Sequence, residues 1–312
     1  MTESSRLPHS GQGPVQPQGG SSADSGSKVS ASAPVGVPVT VRTSHPFKSG
    51  FFRGSIRPQY RDPLFLEALA SPDRLMQSGD AEVLFRGRNT VVVLQASLSP
   101  GETKEIVIKK FSSRGLSRLK TLFLPSKAAR AWRGAMSLVE RGIDTPPPIA
   151  FLERKKRGLV EECYILTARL VGFEEIRGHF IRPQPGEMEA LLPALAGRLA
   201  GLHAAGILHR DLSDGNILIR RDEGSGYRFS FLDTNRIRVR KKLSLPRRVK
   251  NLIRLGIPGE HQRFFLERYF GESGLKRLPW LWYRMNKSVF SGYLRLKKFL
   301  RLKELARRLK VQ

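Results

Sequence analysis

Asp211 and Asn216 stand five residues apart in His209-Arg210-Asp211-Leu212-Ser213-Asp214-Gly215-Asn216, and a second acid, Asp233, follows in Phe231-Leu232-Asp233. One carboxylate to accept the proton of an attacking hydroxyl, with an amide and a second carboxylate to hold a divalent metal bridging nucleotide phosphates, is the side-chain set that phosphoryl transfer requires. On a short loop Asp211 and Asn216 can face the same cleft. Asp-Gly-Asn is also a common turn sequence, and either acid could cap a turn or end a strand. The spacing of all three polar residues together, rather than any one of them, carries the chemical reading.

Such a loop needs rigid elements on both sides. Upstream, Leu191, Leu192, Leu195, Leu199 and Leu202 recur at helical spacing from Met188, and Gly206 is a stop signal, so a buried helix is expected to feed the loop. Downstream, the apolar Ile217-Leu218-Ile219, a polar turn over residues 222–226 and the alternating Tyr227-Arg228-Phe229-Ser230-Phe231 predict a β-hairpin that returns Asp233 beside Asn216. His203, on the apolar helix, is expected to be a satisfied core residue. His209 is expected to hold the loop by hydrogen bonds rather than to act as an acid or base.

Ahead of these elements, strands are predicted over residues 82–85, 91–98 and 105–111, the last two joined by the turn Ser99-Pro100-Gly101-Glu102. Lys109 closes the run Ile106-Val107-Ile108-Lys109, where a lysine can grip the α- and β-phosphates of a nucleotide. Alternation puts Lys110 on the opposite face, where a solvated lysine is the ordinary outcome. The turn Arg86-Gly87-Arg88-Asn89 offers Arg86 and Arg88 as bidentate phosphate ligands, with a plain basic hairpin turn as the alternative. A helix over residues 127–141 is expected next, capped by Ser126 and stopped by Gly142, with Trp132, Met136 and Val139 on one face. Strands over residues 149–153 and 162–168 follow the break at Pro146-Pro147-Pro148.

The chain of 312 residues, 40% of them hydrophobic, is long enough for two lobes, and no apolar run reaches the length of a bilayer crossing. Residues 1–50 are rich in Ser, Gly and Pro and are expected to be disordered, without the basic start and apolar core of a signal peptide. A lone cysteine, Cys163, precludes an intrachain disulfide and sits in a strand-like run where packing is its expected role. The formal charge of +28 implies a polyanionic partner. Nucleic acid, an acidic membrane face and a phosphorylated glycolipid all qualify, but no zinc spacing or aromatic stacking motif supports nucleic acid, which rests on charge alone. Residues 281–312 interleave basic and apolar side chains. Tyr293, Leu296 and Leu300 fall on one helical face while Leu302, Leu305 and Leu309 fall on nearly the opposite one, so no single apolar stripe is expected to run through them. Helical pieces closing the second lobe, and an anchor on anionic lipid, are the two readings of that tail.

The run from Leu202 to Leu212 resembles the helix and catalytic loop of the protein-kinase-like superfamily. In that frame Thr167-Ala168-Arg169-Leu170 falls at the hinge that reads the adenine, with Arg169 among the nucleotide-binding residues. Over residues 82–271 the chain resembles, more narrowly, the lipopolysaccharide core kinases that phosphorylate Kdo or heptose sugars. The resemblance rests on Val107-Ile108-Lys109-Lys110-Phe111, on Ala129-Arg130-Ala131-Trp132 leading to Glu140-Arg141-Gly142-Ile143-Asp144-Thr145-Pro146, on the catalytic loop and on Phe231-Leu232-Asp233-Thr234-Asn235-Arg236. It extends to Asn251-Leu252 and to Arg263-Phe264-Phe265-Leu266-Glu267-Arg268-Tyr269-Phe270-Gly271. One departure stands out: many members carry a glutamate before the helix tryptophan as partner of the strand lysine, and here that residue is Ala131.

The resemblance implies an α+β, two-lobed fold. A small antiparallel N-lobe sheet with one main helix would span residues 51–170, and a mainly helical C-lobe residues 171–312. It also implies ATP and Mg2+ as cofactors, a lipopolysaccharide inner-core acceptor, and a cytoplasmic enzyme working peripherally at the inner membrane of a Gram-negative bacterium. Asp211 would be the base, Asn216 and Asp233 the metal ligands, and Lys109 the phosphate ligand. A kinase for a protein or small metabolite on the same fold is the first alternative, and it predicts activity without lipid. A catalytically inactive module on an anionic surface is the second, and it predicts no magnesium-dependent turnover.

Overall fold

The computed structural model describes residues 44–299 apart from 100, 113, 114, 223 and 225. The first lobe contains strands β1 (His45–Ser49), β2 (Phe52–Ile56), β3 (Glu82–Arg86), β4 (Thr90–Ser99), β5 (Glu102–Lys110), β6 (Pro148–Lys156) and β7 (Leu159–Ala168), with helices α1 (Pro63–Ala68), α2 (Pro72–Leu75), α3 (Leu116–Leu119) and α4 (Lys127–Val139). The seven strands form one antiparallel sheet in the order β1-β2-β6-β7-β5-β4-β3.

Alternation along β4 and β5 divides the side chains between two faces. Val92, Leu94, Leu98, Ile106 and Ile108 turn to one face and are buried under α1 and α2 with Phe65, Leu69 and Met76. Val91, Val107 and Lys109 turn to the other, toward α4. Lys110 therefore lies opposite Lys109, as alternation requires, but it is not simply solvated. Its Nζ is 2.6 Å from Asp73 Oδ2 and 3.3 Å from Glu162 Oε1, over the ring of Tyr164.

The segment expected to be disordered through residue 50 reaches into this sheet, since His45–Ser49 pairs in register with Phe52–Ile56. Phe52 and Ile56 are buried, and Ser49 Oγ donates to the Leu66 carbonyl at 2.5 Å. Five residues holding a single large apolar side chain, Phe47, carry too weak a pattern to read as a strand; pairing supplies what the pattern lacks. The Ser/Gly/Pro-rich stretch before residue 44 lies outside the described residues, as does the tail after residue 299.

The second lobe holds β8 (Glu174–Glu175), α5 (Arg177–Ile181), α6 (Glu187–Ala204), β9 (Ile207–His209), β10 (Ile217–Asp222), β11 (Gly226–Phe231), β12 (Ile237–Val239), α7 (Leu245–Leu252), α8 (Gln262–Phe270) and α9 (Arg277–Phe299). Its core is built on α6, whose Leu191, Leu192, Leu195, Leu199 and Leu202 are buried together with Ile217, Phe231, Phe265, Leu266 and Tyr283. Antiparallel sheet with one long helix in the first half, and helices around a short hairpin in the second, make the two-lobed protein-kinase-like architecture. No helix among the described residues is long and apolar enough to cross a membrane.

His203 is a core residue in a donor chain with one direction. Arg248 Nε–H donates to Tyr269 Oη (2.9 Å), whose hydroxyl donates to His203 Nδ1 (2.7 Å). His203 Nε2–H then donates to Asn251 Oδ1 (3.0 Å), and Asn251 Nδ2 to the His209 carbonyl (2.7 Å). The ring is satisfied as neutral imidazole, and burial holds its pKa down at about 4 from an ordinary 6.5. Burial also lowers that of His209. Both groups bind protons more readily unfolded. Their contribution is therefore whole above pH 6.5 and is lost as pH falls below it, for His203 over the window down to about 4, where it accounts for about 3 kcal/mol. His203→Gln should melt lower than wild type at neutral pH yet lose less stability on acidification through this window. An unchanged slope in thermal melts would remove His203 as a source of acid sensitivity.

Candidate active site

The loop that carries Asp211 is fixed by its own histidine. Asp211 N–H donates to His209 Nδ1 (3.2 Å), so the proton resides on Nε2, which donates to the Leu232 carbonyl (2.7 Å). His209 thus ties the loop to the segment bearing Asp233. The expected hairpin forms in full register from Ile217↔Phe231 to Asp222↔Gly226, and Leu232 N–H closes it on the Asn216 carbonyl at 2.9 Å. That bond brings Asp233 beside Asn216. Asn216 spends its amide hydrogens on the Asp211 carbonyl (2.8 Å) and Ser213 Oγ (3.2 Å), leaving Oδ1 as the atom available to a cation.

Asp233 adopts a left-handed backbone, φ 54° and ψ 46°, unusual for a residue other than glycine and most often tolerated by Asn and Asp. Its Oδ1 lies 2.6 Å from Lys109 Nζ. The lysine of β5 and the acid after the hairpin therefore meet directly, with no glutamate between them. Ala131 is buried on α4, and the helix is held to the Asp233 segment by other means. Thr234 Oγ1 donates to the Ala131 carbonyl at 2.8 Å, and the Thr234 carbonyl packs so closely on Gly134 that any Cβ there would collide with it. On the neighbouring segment, Thr145 Oγ1 donates to the Phe231 carbonyl at 2.8 Å.

Lys109 and Asp233 stand in the wall of a cavity of about 340 Å³ between the lobes, otherwise largely apolar, with Leu84, Val91, Val107, Ile165 and Leu218 among its lining. An apolar slot with few charged groups suits a heterocycle that carries phosphates. Arg169 lines the cavity too; its amide donates to the Glu105 carbonyl (2.9 Å) and Nη1 sits 2.7 Å from Glu105 Oε1. The Ala168 amide is likewise spent on the Pro147 carbonyl (2.9 Å). The Leu170 amide makes no backbone hydrogen bond among the described residues. Arg86 and Arg88 are exposed on a hairpin turn closed by Gly87 N–H to the Asn89 carbonyl (3.1 Å), and neither lines the cavity.

Asp211 has partners that its motif does not announce. Arg254 Nη2 is 2.7 Å from Oδ1 and Arg236 Nε 3.5 Å from Oδ2, so two guanidinium groups orient the carboxylate. Arg254 is positioned in turn by α9: Lys287 Nζ donates to the Ile253 carbonyl (2.8 Å) and the Leu255 carbonyl (2.6 Å), and Arg254 lies over the Phe290 ring. The one sequence signal for Arg254 is its place just after Asn251-Leu252.

No group of three or more His, Cys, Asp or Glu side chains among the described residues could hold a metal. Asp233 and Asn216 supply one carboxylate and one amide, which suits magnesium, a hard ion that keeps waters and takes its remaining oxygens from substrate phosphates.

Fold and site together define a kinase-like phosphotransferase. The model of the lipopolysaccharide kinase (Kdo/WaaP) family matches residues 86–264, more than half of the chain, and the chain belongs to that family. It is 26% identical over 170 residues to the lipopolysaccharide core heptose(I) kinase WaaP of Pseudomonas aeruginosa, an alignment covering 49% of this chain and 63% of that relative. Among solved structures it is similar to WaaP in complex with acyl carrier protein, at 20% identity and a TM-score of 0.41 over 77% of this chain and 91% of that one. It is also similar to the Rio2 kinase–ADP/Mg2+–phosphoaspartate complex of Chaetomium thermophilum, at 18% identity and a TM-score of 0.41 over 79% and 71%.

Proposed function

We propose that this chain transfers the γ-phosphoryl group of ATP to a sugar hydroxyl, of Kdo or heptose, in the lipopolysaccharide inner core. The observation that carries this reading is the pairing of Lys109 with Asp233 in the wall of the interlobe cavity, with Asn216 tied to the residue before Asp233 and to the Asp211 carbonyl, in a member of the Kdo/WaaP family. Lys109 binds the nucleotide phosphates. Asp233 and Asn216 Oδ1 would hold magnesium, which when bound supplies charge neutralisation on the phosphate oxygens. Asp211, oriented by Arg254 and Arg236, accepts the acceptor hydroxyl's proton as that oxygen bonds to phosphorus and the ADP oxygen departs.

The face of α9 turned away from the lobe supports work at a lipid surface. At one hundred degrees per residue, Leu278, Leu281, Met285, Val289, Leu296 and Phe299 fall on one side, all exposed, while Tyr283 packs inward. A single apolar stripe runs through residues 277–299, and residues 300–312, on which the expected opposing face falls, lie outside the described residues. That pattern fits an anionic bilayer face. The test is the phosphate content of lipopolysaccharide core from cells with and without the chain, beside transfer by purified protein on acceptor in anionic vesicles. Expected are a core lacking one phosphate in the deleted cells, and vesicle binding that falls in Leu278→Ser/Val289→Ser. An unchanged core would sink the acceptor assignment; unchanged vesicle binding would sink the role of α9.

A further inference from the structure

A second recess, of about 260 Å³, adjoins the catalytic loop and is lined by Lys127, Arg130, Arg210, Asn235, Arg236 and Arg238, with no acidic side chain among them. Three elements bring these cations together: the start of α4, the residue before Asp211, and the segment following Asp233. Apart from Arg236, which meets Asp211, several features leave their charge uncompensated. Arg130 Nε is buried without a hydrogen-bond partner, and Arg238 reaches only the carbonyl of its own neighbour Ile237, at 3.2 Å. Lys127 Nζ is satisfied by a neutral carbonyl, that of Ser112, at 2.5 Å. The first turn of α4 contains no acid, so the positive end of the helix dipole adds to Lys127 and Arg130 where an anion would ordinarily be favoured. Burial first, then Arg88, Arg130 and Arg236, push the Lys127 ammonium below its usual range, and burial with Arg238 and Arg236 lowers Arg130.

A fold does not gather guanidinium groups at a helix start without an anion to hold them, because each added cation repels the others and gives up hydration. We propose that this recess is a binding site for a phosphate group, separate from the nucleotide cavity and joined to the reaction centre through Arg236, which lines the recess while its Nε lies 3.5 Å from Asp211 Oδ2. The guanidinium forks match phosphate oxygens bidentately. The phosphate is carried by the acceptor, fixing its hydroxyl against Asp211, or it is free phosphate acting as an effector. The acceptor version rests on the kinase reading above; the site itself does not.

The test is calorimetric titration of the full chain with inorganic phosphate at low ionic strength, with magnesium and a non-hydrolysable ATP analogue saturating so that the nucleotide cavity is filled. Saturable phosphate binding is expected, weakened about tenfold or more in Arg130→Gln and in Arg238→Gln. The second variant alters an exposed side chain, so loss of fold cannot imitate loss of binding. No binding by the wild type, or equal binding by both variants, overturns the site. Steady-state transfer then identifies the source. Inhibition by phosphate that is competitive with acceptor and not with ATP assigns the group to the acceptor; phosphate that alters turnover without competing assigns it to a free anion. Titration needs no turnover, so a chain that binds phosphate but transfers none keeps the site and loses the proposed activity.

Discussion

Asp211→Asn lowers phosphoryl transfer by about 10²–10⁴-fold, the range that a positioned general base contributes, and leaves nucleotide affinity close to that of the wild type. The amide keeps the size of the carboxylate and an oxygen that can still accept from Arg254, so the loop held by His209 is undisturbed. What it cannot do is take the hydroxyl proton, and that role is exerted only as the transition state forms. Turnover with purified core acceptor, measured beside the nucleotide dissociation constant, separates the two. A variant that retains wild-type turnover would remove Asp211 from its role.

Asp233→Ala has the second large effect, on binding. The carboxylate is both the proposed magnesium ligand and the direct partner of Lys109, so its removal strips the cation's charged ligand and leaves the lysine alone in an apolar wall. Partners that merely support a metal ligand are worth about 10–100-fold in affinity, and loss of the ligand itself is expected to cost at least that in magnesium-dependent nucleotide binding. Asn216→Ala should cost less, because a neutral amide holds a hard cation more weakly than a carboxylate does. The decisive measurement is nucleotide affinity with magnesium and with chelator for all three proteins. Affinity that ignores magnesium in the wild type would end the metal assignment.

The elements around the chemistry were legible because each rested on a local, periodic signal. Leucines at helical spacing wrote out α6, the alternation of Tyr227 to Phe231 wrote out β11, and the chain distance between Asn216 and Asp233 was that of one hairpin, so their juxtaposition followed without tertiary information. The same alternation separated Lys109 from Lys110. The supports of Asp211 were not legible. Arg254 reaches it from far along the chain and is itself set by Lys287 and Phe290 on α9, and no spacing rule encodes a contact made by docking one helix against a lobe. Arg169 lines the cavity as its place in the chain suggested, but its engagement with Glu105 on the adjoining strand is again a contact between segments that no spacing rule encodes. On α9, period places Leu278, Met285 and Val289 on one side but does not say which side meets the lobe. The burial of Tyr283 is what tells the inner face from the outer.

The contact between Gly134 and the Thr234 carbonyl bears on how such an enzyme can be governed. A helix linked to its active site by one lysine–glutamate pair can swing away when two side chains let go, and that freedom makes a switch. Here α4 meets the Asp233 segment backbone against backbone, with Thr234 bonded to the Ala131 carbonyl beside it. Outward rotation of the helix would carry the proposed metal ligand with it instead of releasing it. The two pieces form one block, and a switch that works by parting the helix from the Asp233 segment is closed to it.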